Sequence, residues 1–269
     1  MKNKAGECLY PWREVLTRMS FYDLDKDERQ TLVDKINAEL LSEIKSRKEK
    51  NILTYFSDED TYIRKTAYLA IGKIYFSQKT LRNGILKLLE KLFKSENEKI
   101  RQTVINSAGE IGIFDFPPIE HLMEKGLFDE HHSVRNAVIG SIKKMGEKNP
   151  KPVLAFAKQF LHHQDKEIRR EICHGIELRG RKYPQDILPM LKELQHDKTA
   201  RVRNTLVHVL GQIAYKRGCL ETVVAHLKNW ENKDLVADAL EEIIDVHERY
   251  KNFAVKTQEQ AKAYIHDNF

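Results

Sequence analysis

A branched apolar residue followed by arginine recurs along this chain at nearly constant spacing. The pairs are Ile63-Arg64, Ile100-Arg101, Val134-Arg135, Ile168-Arg169 and Val202-Arg203. The first interval is 37 residues, and the three that follow are 34 residues each. A fixed period of about 20 to 50 residues is the signature of stacked repeats, and an insertion or deletion would break it. The chain is therefore predicted to be an array of equivalent units.

The residues around each arginine predict what one unit contains. Apolar side chains stand one position before the arginine, three after it and seven after it, which is the spacing of one buried helix stripe. Those after the arginines are Ala67, Val104, Val138, Ile172 and Leu206, then Ile71, Ala108, Ile142, Ile176 and Leu210. Another apolar helix is predicted before each turn from the second repeat onward, over residues 85–93, 119–128, 153–161 and 187–194. Gly72, Gly109 and Gly211, eight positions after their arginines, are expected either to let a neighbouring helix approach closely or to end the helix. One unit is thus a helix, a short polar turn and a second helix.

The pattern is fullest between Asp60 and Gly72, where the aspartate, the Ile-Arg pair, an alanine and the Ile-Gly pair follow at fixed offsets. It resembles the HEAT repeat, and the resemblance extends over about residues 51–250. The resemblance implies an all-α, armadillo-like fold, a right-handed α-solenoid of about five to six HEAT-like helix pairs with N- and C-terminal capping helices. It also implies a structural ladder along the stack, formed by Asp60, Asp165, Arg64, Arg101, Arg135, Arg169 and Arg203.

A single continuous domain is expected from this pattern. Capping helices are expected in residues 1–50, the repeats in 51–250 and a last capping helix in 251–269, and Trp12 is expected to help cover the first repeat. A sixth unit has Ala237 in place of the arginine but keeps the apolar stripe, which is typical of a terminal repeat. The stripe residues are Val236, Leu240 and Ile244. Thr257 and Gln260 have the spacing of a capping box that would open the final helix.

Composition excludes several classes of protein. The three cysteines are far apart and form no Cys-x-x-Cys pair, so neither a disulfide framework nor a structural zinc site is expected. No apolar run approaches the roughly 18 residues of a membrane span, and no signal peptide is recognised. We expect a cytoplasmic monomer with no cofactor and no bound metal. The adjacent pairs His131-His132 and His162-His163 are poor metal ligands, because neighbouring side chains point to different sides. The net charge of +6 leaves room for an acidic partner.

In HEAT-like stacks the second helices line the concave surface, so the positions one, five and nine after each arginine are expected to face a groove. Most of the residues there are cations or uncharged hydrogen-bonding side chains. The predicted groove residues are Lys65, Lys73, Gln102, Asn106, Asn136, Lys144, Arg170, His174, Asn204, His208 and Gln212. Because Asn and His are weak helix formers on exposed helix faces, their accumulation indicates recognition by hydrogen bonds.

Two partner classes fit such a groove. A protein or peptide segment would be held through its backbone by the amide side chains, whereas a nucleic acid would use the lysines and arginines. The cations are interspersed with neutral residues, which favours a non-catalytic scaffold that binds a protein or peptide. The alternative is a DNA-binding repair enzyme, since the size, basicity and repeat type are similar to those of the HEAT-like alkylation repair glycosylases. In that alternative Trp230 would clamp DNA and Asp234 would be the catalytic carboxylate.

Overall fold

The computed structural model describes residues 20–269, and every regular element in that range is helical. Residues 1–19, which include Cys8 and Trp12, lie outside the described range. The contacts divide the chain into two compact units, residues 1–85 and 86–269. Within residues 20–269, no helix combines the length and the apolar character that crossing a membrane requires.

The first unit is built from α1 (Lys26–Ser46), α2 (Lys50–Phe56) and α3 (Thr61–Ser77), with α1 packed against both of the others. A 3-10 turn, Phe21–Asp23, precedes α1, and another, Lys79–Leu81, leads into α4 (Arg82–Leu92), within which the unit boundary falls. Glu43, buried near the end of α1, accepts hydrogen bonds from the backbone amides of Asn51 and Ile52 at the start of α2. The buried Glu43 carboxylate therefore accepts from backbone N–H groups that have no hydrogen-bond partner within the first turn of α2.

The second unit continues the alternation of first and second helices that the sequence predicts. Its further helices are α5 (Glu98–Gly112), α6 (Glu120–Leu127), α7 (His132–Lys148), α8 (Pro150–Phe160), α9 (Lys166–Gly175), α10 (Glu177–Gly180), α11 (Leu188–Lys192), α12 (Ala200–Ala214), α13 (Cys219–Leu227), α14 (Lys233–Arg249) and α15 (Gln258–Asn268). Helices α9 and α10 are one second helix interrupted at Ile176. The second helices of successive units, α5, α7, α9 with α10, α12 and α14, pack directly against one another. The prediction of an all-α helical-repeat solenoid is confirmed.

The predicted stripe forms the core. All ten apolar residues three and seven positions after the arginines are at most 1% exposed. Those directly before the arginines are buried in the second unit, from Ile100 to Val202, whereas Ile63 in the first unit is half-buried. The sixth unit departs from the expectation, because Leu240 and Ile244 are only half-buried and Ala239 and Ile243 are fully buried instead. The last second helix is thus rotated slightly about its axis relative to the predicted register.

Two glycines of the second unit set how closely the second helices approach. A Cβ on Gly109 would lie 2.3 Å from the Ser141 Oγ, and a Cβ on Gly211 would lie 2.6 Å from the Glu242 Cγ. A Cβ at either distance would force the opposing side chain to shift, so glycine allows the close approach expected at these two positions. The capping box is also confirmed, with the Thr257 side chain accepting from Gln260 N and the Gln260 side chain accepting from Thr257 N.

Candidate functional site

Each repeat arginine ties its own helix to the polar turn before it. In the second unit, Nη1 of each repeat arginine donates to the carbonyl oxygen six residues earlier. The distance is 2.9 Å for Arg101, 2.7 Å for Arg135, 2.8 Å for Arg169 and 2.6 Å for Arg203. Arg64 of the first unit makes the same hydrogen bond to the Asp58 carbonyl. A charged donor on a turn carbonyl satisfies a group that no helix hydrogen bond reaches. This role inside one repeat explains the arginine in all five repeats, and the spacing of the arginines alone does not reveal it.

Only some of the arginines also form a ladder between repeats. Arg101 Nε donates to Asp129 Oδ2 at 2.8 Å, and Arg169 Nε donates to Asp197 Oδ2 at 2.5 Å. Burial raises the pKa of Asp197, but the hydrogen bond from Arg169 and that from a backbone amide outweigh it, so this pKa lies below its usual range. The turn aspartate of the following repeat is thus the partner of these two arginines.

The two aspartates that the HEAT resemblance assigned to the ladder have another role. Asp60 Oδ1 accepts from the Tyr62 amide at 2.7 Å, and Asp165 Oδ1 accepts from the Glu167 amide at 2.8 Å. Both are helix N-caps, which satisfy free backbone N–H groups at a helix start. Among residues 20–269 neither carboxylate pairs with an arginine, so the expectation for Asp60 and Asp165 is corrected.

The groove face is defined here as the predicted groove positions of the second helices in residues 86–269. Asn136, Lys144 and Asn204 are exposed on it, and Gln102, Asn106, Arg170, His174 and His208 are partly exposed. Gln212 departs from the prediction because it is only 2% exposed, and its Oε1 accepts from Arg181 Nη2 at 2.8 Å. The other two predicted residues, Lys65 and Lys73, are exposed on α3 of the first unit.

Three asparagines of the groove face have unusual surroundings. Asn106, Asn136 and Asn204 lie on α5, α7 and α12, and their side chains hydrogen-bond to nothing within residues 20–269. By contrast, the neighbouring Gln102 donates to the Ser133 carbonyl at 3.3 Å, and Lys144 pairs with Glu110 at 3.0 Å. The asparagine amides therefore keep their donors and acceptors for solvent or for a bound molecule.

A buried carboxylate, Glu177, lies beneath this face. Its side chain is 2% exposed and accepts from Lys143 Nζ at 3.1 Å and from Arg181 Nη2 at 2.5 Å, while His174 Nε2 is 3.1 Å away. Burial alone raises its pKa, but the hydrogen bond with His174 and the charges of Lys143 and Arg181 outweigh burial and lower the pKa to about 2. Glu177 is therefore ionised at neutral pH and fixes three groove-side groups in place.

A second buried carboxylate, Glu171, lies one helical turn and a half earlier. Its Oε1 is 3.4 Å from Arg135 Nε and 3.5 Å from Arg170 Nη2, whereas its Oε2 is buried without a hydrogen-bond partner among the described residues. Burial raises the pKa of Glu171 above its usual range, and the two arginines oppose that shift. Glu171 thus holds two guanidinium groups from below the groove face.

His174, Glu177 and His208 could together hold a metal ion, since their nearest ligand atoms lie within 4.8 Å of one another. However, Lys143 Nζ is 2.9 Å from His174 Nε2 and 3.1 Å from Glu177 Oε2. An ammonium group already contacts two of the three ligand atoms, and a metal ion would have to displace it against the charge of Arg181. The cluster is better explained as a hydrogen-bonded ion network than as a metal centre.

The groove face opens into a cleft of about 420 Å³ between α9 and α12. It is lined by Arg170, His174, Arg201, Asn204, Thr205 and His208. Four of these six were predicted as groove residues, so the structure brings them to one place. Arg201 and Thr205 were not, because Arg201 stands two positions before the repeat arginine and Thr205 two positions after it.

The residues of the alternative enzyme hypothesis are not arranged as it requires. Trp230 is 1% exposed, and its Nε1 donates to His226 Nδ1 at 2.8 Å. Asp234 lies in the first turn of α14 and is exposed. A buried indole cannot stack on a nucleic-acid base without leaving the core, so Trp230 is a core anchor.

No family model matches this chain, and no curated protein matches it. Solved structures similar to it include Kap95p in its complex with RanGDP, at a TM-score of 0.45 and 16% identity over 78% of this chain and 31% of that one. Escherichia coli YibA is similar at a TM-score of 0.44 and 16% identity, over 99% and 98% of the two chains. Pseudomonas fluorescens alkylpurine DNA glycosylase AlkC, bound to DNA, is similar at a TM-score of 0.36 and 14% identity, over 80% and 64%. The chain spans about a third of Kap95p, and likenesses this distant decide nothing about function.

Proposed function

We propose that this chain is a non-catalytic helical-repeat scaffold that binds a protein or peptide segment along the groove face. The observation that carries the proposal is the set of asparagines without an internal partner, Asn106, Asn136 and Asn204. Two neighbouring polar side chains on this face do have partners, because Glu110 pairs with Lys144 and Gln102 donates to the Ser133 carbonyl. Amide side chains that offer both a donor and an acceptor suit the backbone of an extended segment.

Other features of the second unit agree with this reading. The second helices are held in register by buried apolar residues, by close glycine contacts and by the Arg101–Asp129 and Arg169–Asp197 pairs. A groove face built on rigid helices presents its side chains at fixed spacing, so less conformational freedom is lost on binding. The buried carboxylates Glu171 and Glu177 add to this rigidity by fixing the cations between the asparagines.

The test compares two matched triple variants. In the first, Asn106, Asn136 and Asn204 are replaced by Ala; in the control, the exposed amides Asn83, Gln159 and Gln185 are replaced by Ala. Tagged proteins are used to capture partners from a lysate of the source cells, with and without nuclease treatment, and the captured proteins are identified by mass spectrometry.

We expect proteins that the unmodified chain and the control retain and that the groove-face variant loses. The thermal unfolding of both variants should remain near that of the unmodified chain, because the replaced side chains make no hydrogen bond within residues 20–269. The proposal fails if the groove-face variant captures the same proteins as the control. It also fails if all capture disappears after nuclease treatment, since the partner would then be nucleic acid.

A further inference from the structure

The cleft between α9 and α12 carries two guanidinium groups held by one carboxylate. Glu167 Oε2 accepts from Arg170 Nε at 2.8 Å, and Glu167 Oε1 lies 3.1 Å from Arg201 Nη1. A guanidinium has five N–H donors, so most of those on Arg201, whose side chain is 64% exposed, remain for other acceptors. Glu167 therefore orients the two arginines without using up their hydrogen-bonding capacity.

The charges behind the cleft leave the groove face positive. Glu171 lies between Arg135 and Arg170, and Glu177 lies between Lys143 and Arg181. With Arg201 and Glu167 at the mouth, five cations face three carboxylates, and two of those carboxylates are 2% exposed. Because the cations outnumber the carboxylates and two of the three carboxylates are buried, a ligand would meet an excess of positive charge.

An unused donor extends this surface beyond the cleft. Gln212 lies one helical turn after His208 on α12, and because its Oε1 accepts from Arg181, its Nε2 must be a donor. That Nε2 is buried and has no acceptor within residues 20–269, and the same holds for the Nε of Arg181. Gln212 and Arg181 thus place two N–H donors without an acceptor among the described residues beneath the surface, one helical turn beyond His208.

We infer that this cleft binds the carboxylate side chains of an acidic stretch in an extended protein segment. One carboxylate accepts from the N–H groups of Arg170 and Arg201 that Glu167 leaves free, beside the amide of Asn204. The flat, two-oxygen shape of a carboxylate matches the paired donors of a guanidinium. The inference rests on the proposed function and names the chemistry of the partner.

The groove face fits a nucleic acid less well than an acidic peptide. Glu110 and Glu242 are fixed on it by Lys144 and by Arg249, and they would oppose phosphates placed at regular spacing. No Phe, Tyr or Trp occupies the predicted groove positions of the second helices from Gln102 to Gln212, so bases would have no ring on which to stack. A peptide can place its acidic residues only where the cations are.

The experiment uses the full chain and defined probes. A fluorescein-labelled peptide in which glutamates alternate with serine and glycine is compared with the same peptide carrying glutamine in place of glutamate. A labelled single-stranded DNA and a DNA duplex serve as the nucleic-acid probes. Binding is followed by fluorescence anisotropy for the unmodified chain, for Arg201→Gln and Arg170→Gln, and for the control Lys151→Gln, which removes the same charge from an exposed site on α8.

We expect the glutamate peptide to bind and the glutamine peptide to bind at least tenfold more weakly. Arg201→Gln should weaken binding of the glutamate peptide about tenfold, as loss of a charge-assisted pair does, whereas Lys151→Gln should change it less than twofold. Because Arg201 is exposed, its variant is expected to fold, and circular dichroism verifies this for both arginine variants.

Equal binding of the two peptides would overturn the inference, as would equal weakening by Arg201→Gln and Lys151→Gln. DNA binding that is tighter than peptide binding and is lost in Arg201→Gln would assign the cleft to nucleic acid instead. Failure of this inference is distinguishable from failure of the proposed function. If asparagine-dependent protein capture persists while the glutamate peptide does not bind, only the acidic chemistry is wrong.

Discussion

Replacing Glu177 by glutamine should destabilise the protein strongly at neutral pH and much less at low pH. The side chain is 2% exposed, and its neighbours Lys143, Arg181 and His174 lower its pKa to about 2 from the usual 4.5. Since each pKa unit corresponds to about 1.4 kcal/mol, the ionised carboxylate contributes about 3 kcal/mol to the free energy of unfolding at pH 7. Glutamine has nearly the same shape as a protonated glutamate, so the variant should lack about that amount.

The sign of the pH dependence follows from the lowered pKa. A carboxylate with a lower pKa in the folded state stabilises the fold fully above its unfolded pKa of about 4.5, and this contribution is lost as the pH falls through about 2. The difference between the unmodified chain and Glu177→Gln should therefore be about 3 kcal/mol at pH 7 and about half of that near pH 3.

Urea unfolding followed by circular dichroism measures this difference, with Glu241→Gln as the control at an exposed position on α14. The control should lie within about 0.5 kcal/mol of the unmodified chain, as surface substitutions usually do. A Glu177→Gln variant that unfolds like the control at pH 7 would show that the buried carboxylate does not stabilise the fold. A deficit of the same size at both pH values would refute its assignment to the ionised form.

Three further predictions concern the packing and the proposed absence of catalysis. Gly109→Ala should lower the free energy of unfolding by about 1 to 3 kcal/mol, because its Cβ would collide with the next second helix. Gly140→Ala should raise the free energy of unfolding by up to about 1 kcal/mol, because its Cβ would meet nothing within 4 Å. Urea unfolding distinguishes the two variants. Arg169→Ala should destabilise the fold more than Arg203→Ala by about 1 to 2 kcal/mol in the same assay. Both variants lose the hydrogen bond to the turn carbonyl, but only Arg169→Ala also loses the pair with Asp197. Equal destabilisation by the two variants would contradict the ladder. The chain should release no base from methylated DNA by chromatographic assay, and release that Asp234→Asn abolishes would refute a non-catalytic scaffold.

The fold could be predicted because its signal is local and repeated. An apolar stripe must be buried wherever a helix packs, and five copies in phase leave little choice of register. The ladder was harder, because the partner of Arg101 lies 28 residues away in the turn of the next repeat and not in its own turn. Asp60 and Asp165 precede their helices at a capping distance, which sequence alone does not separate from a ladder position.

The buried carboxylates were missed although the repeats contain a signal for one of them. Eight positions after the arginine, three repeats have glycine, whereas the third and fourth have Lys143 and Glu177. Two opposite charges at equivalent positions of adjacent repeats predict a contact across the stack, and the structure places them 3.1 Å apart. Glu171 gave no such signal, because its burial depends on how Arg135 and Arg170 reach over it.

The position of these carboxylates bears on function as well as on stability. Burying a charge costs several kcal/mol before pairing recovers it, and a well-packed apolar residue would often be as stable. Glycine at the position of Glu177 in three other repeats shows that this stack does not need an ion pair there to bring its second helices together. Glu177 holds Arg181 beside the groove face, which glycine cannot do, and Glu171 holds Arg135 and Arg170 there. The free-energy cost of burying these two carboxylates is understandable if the cations that they position are the part of the surface that contacts a partner.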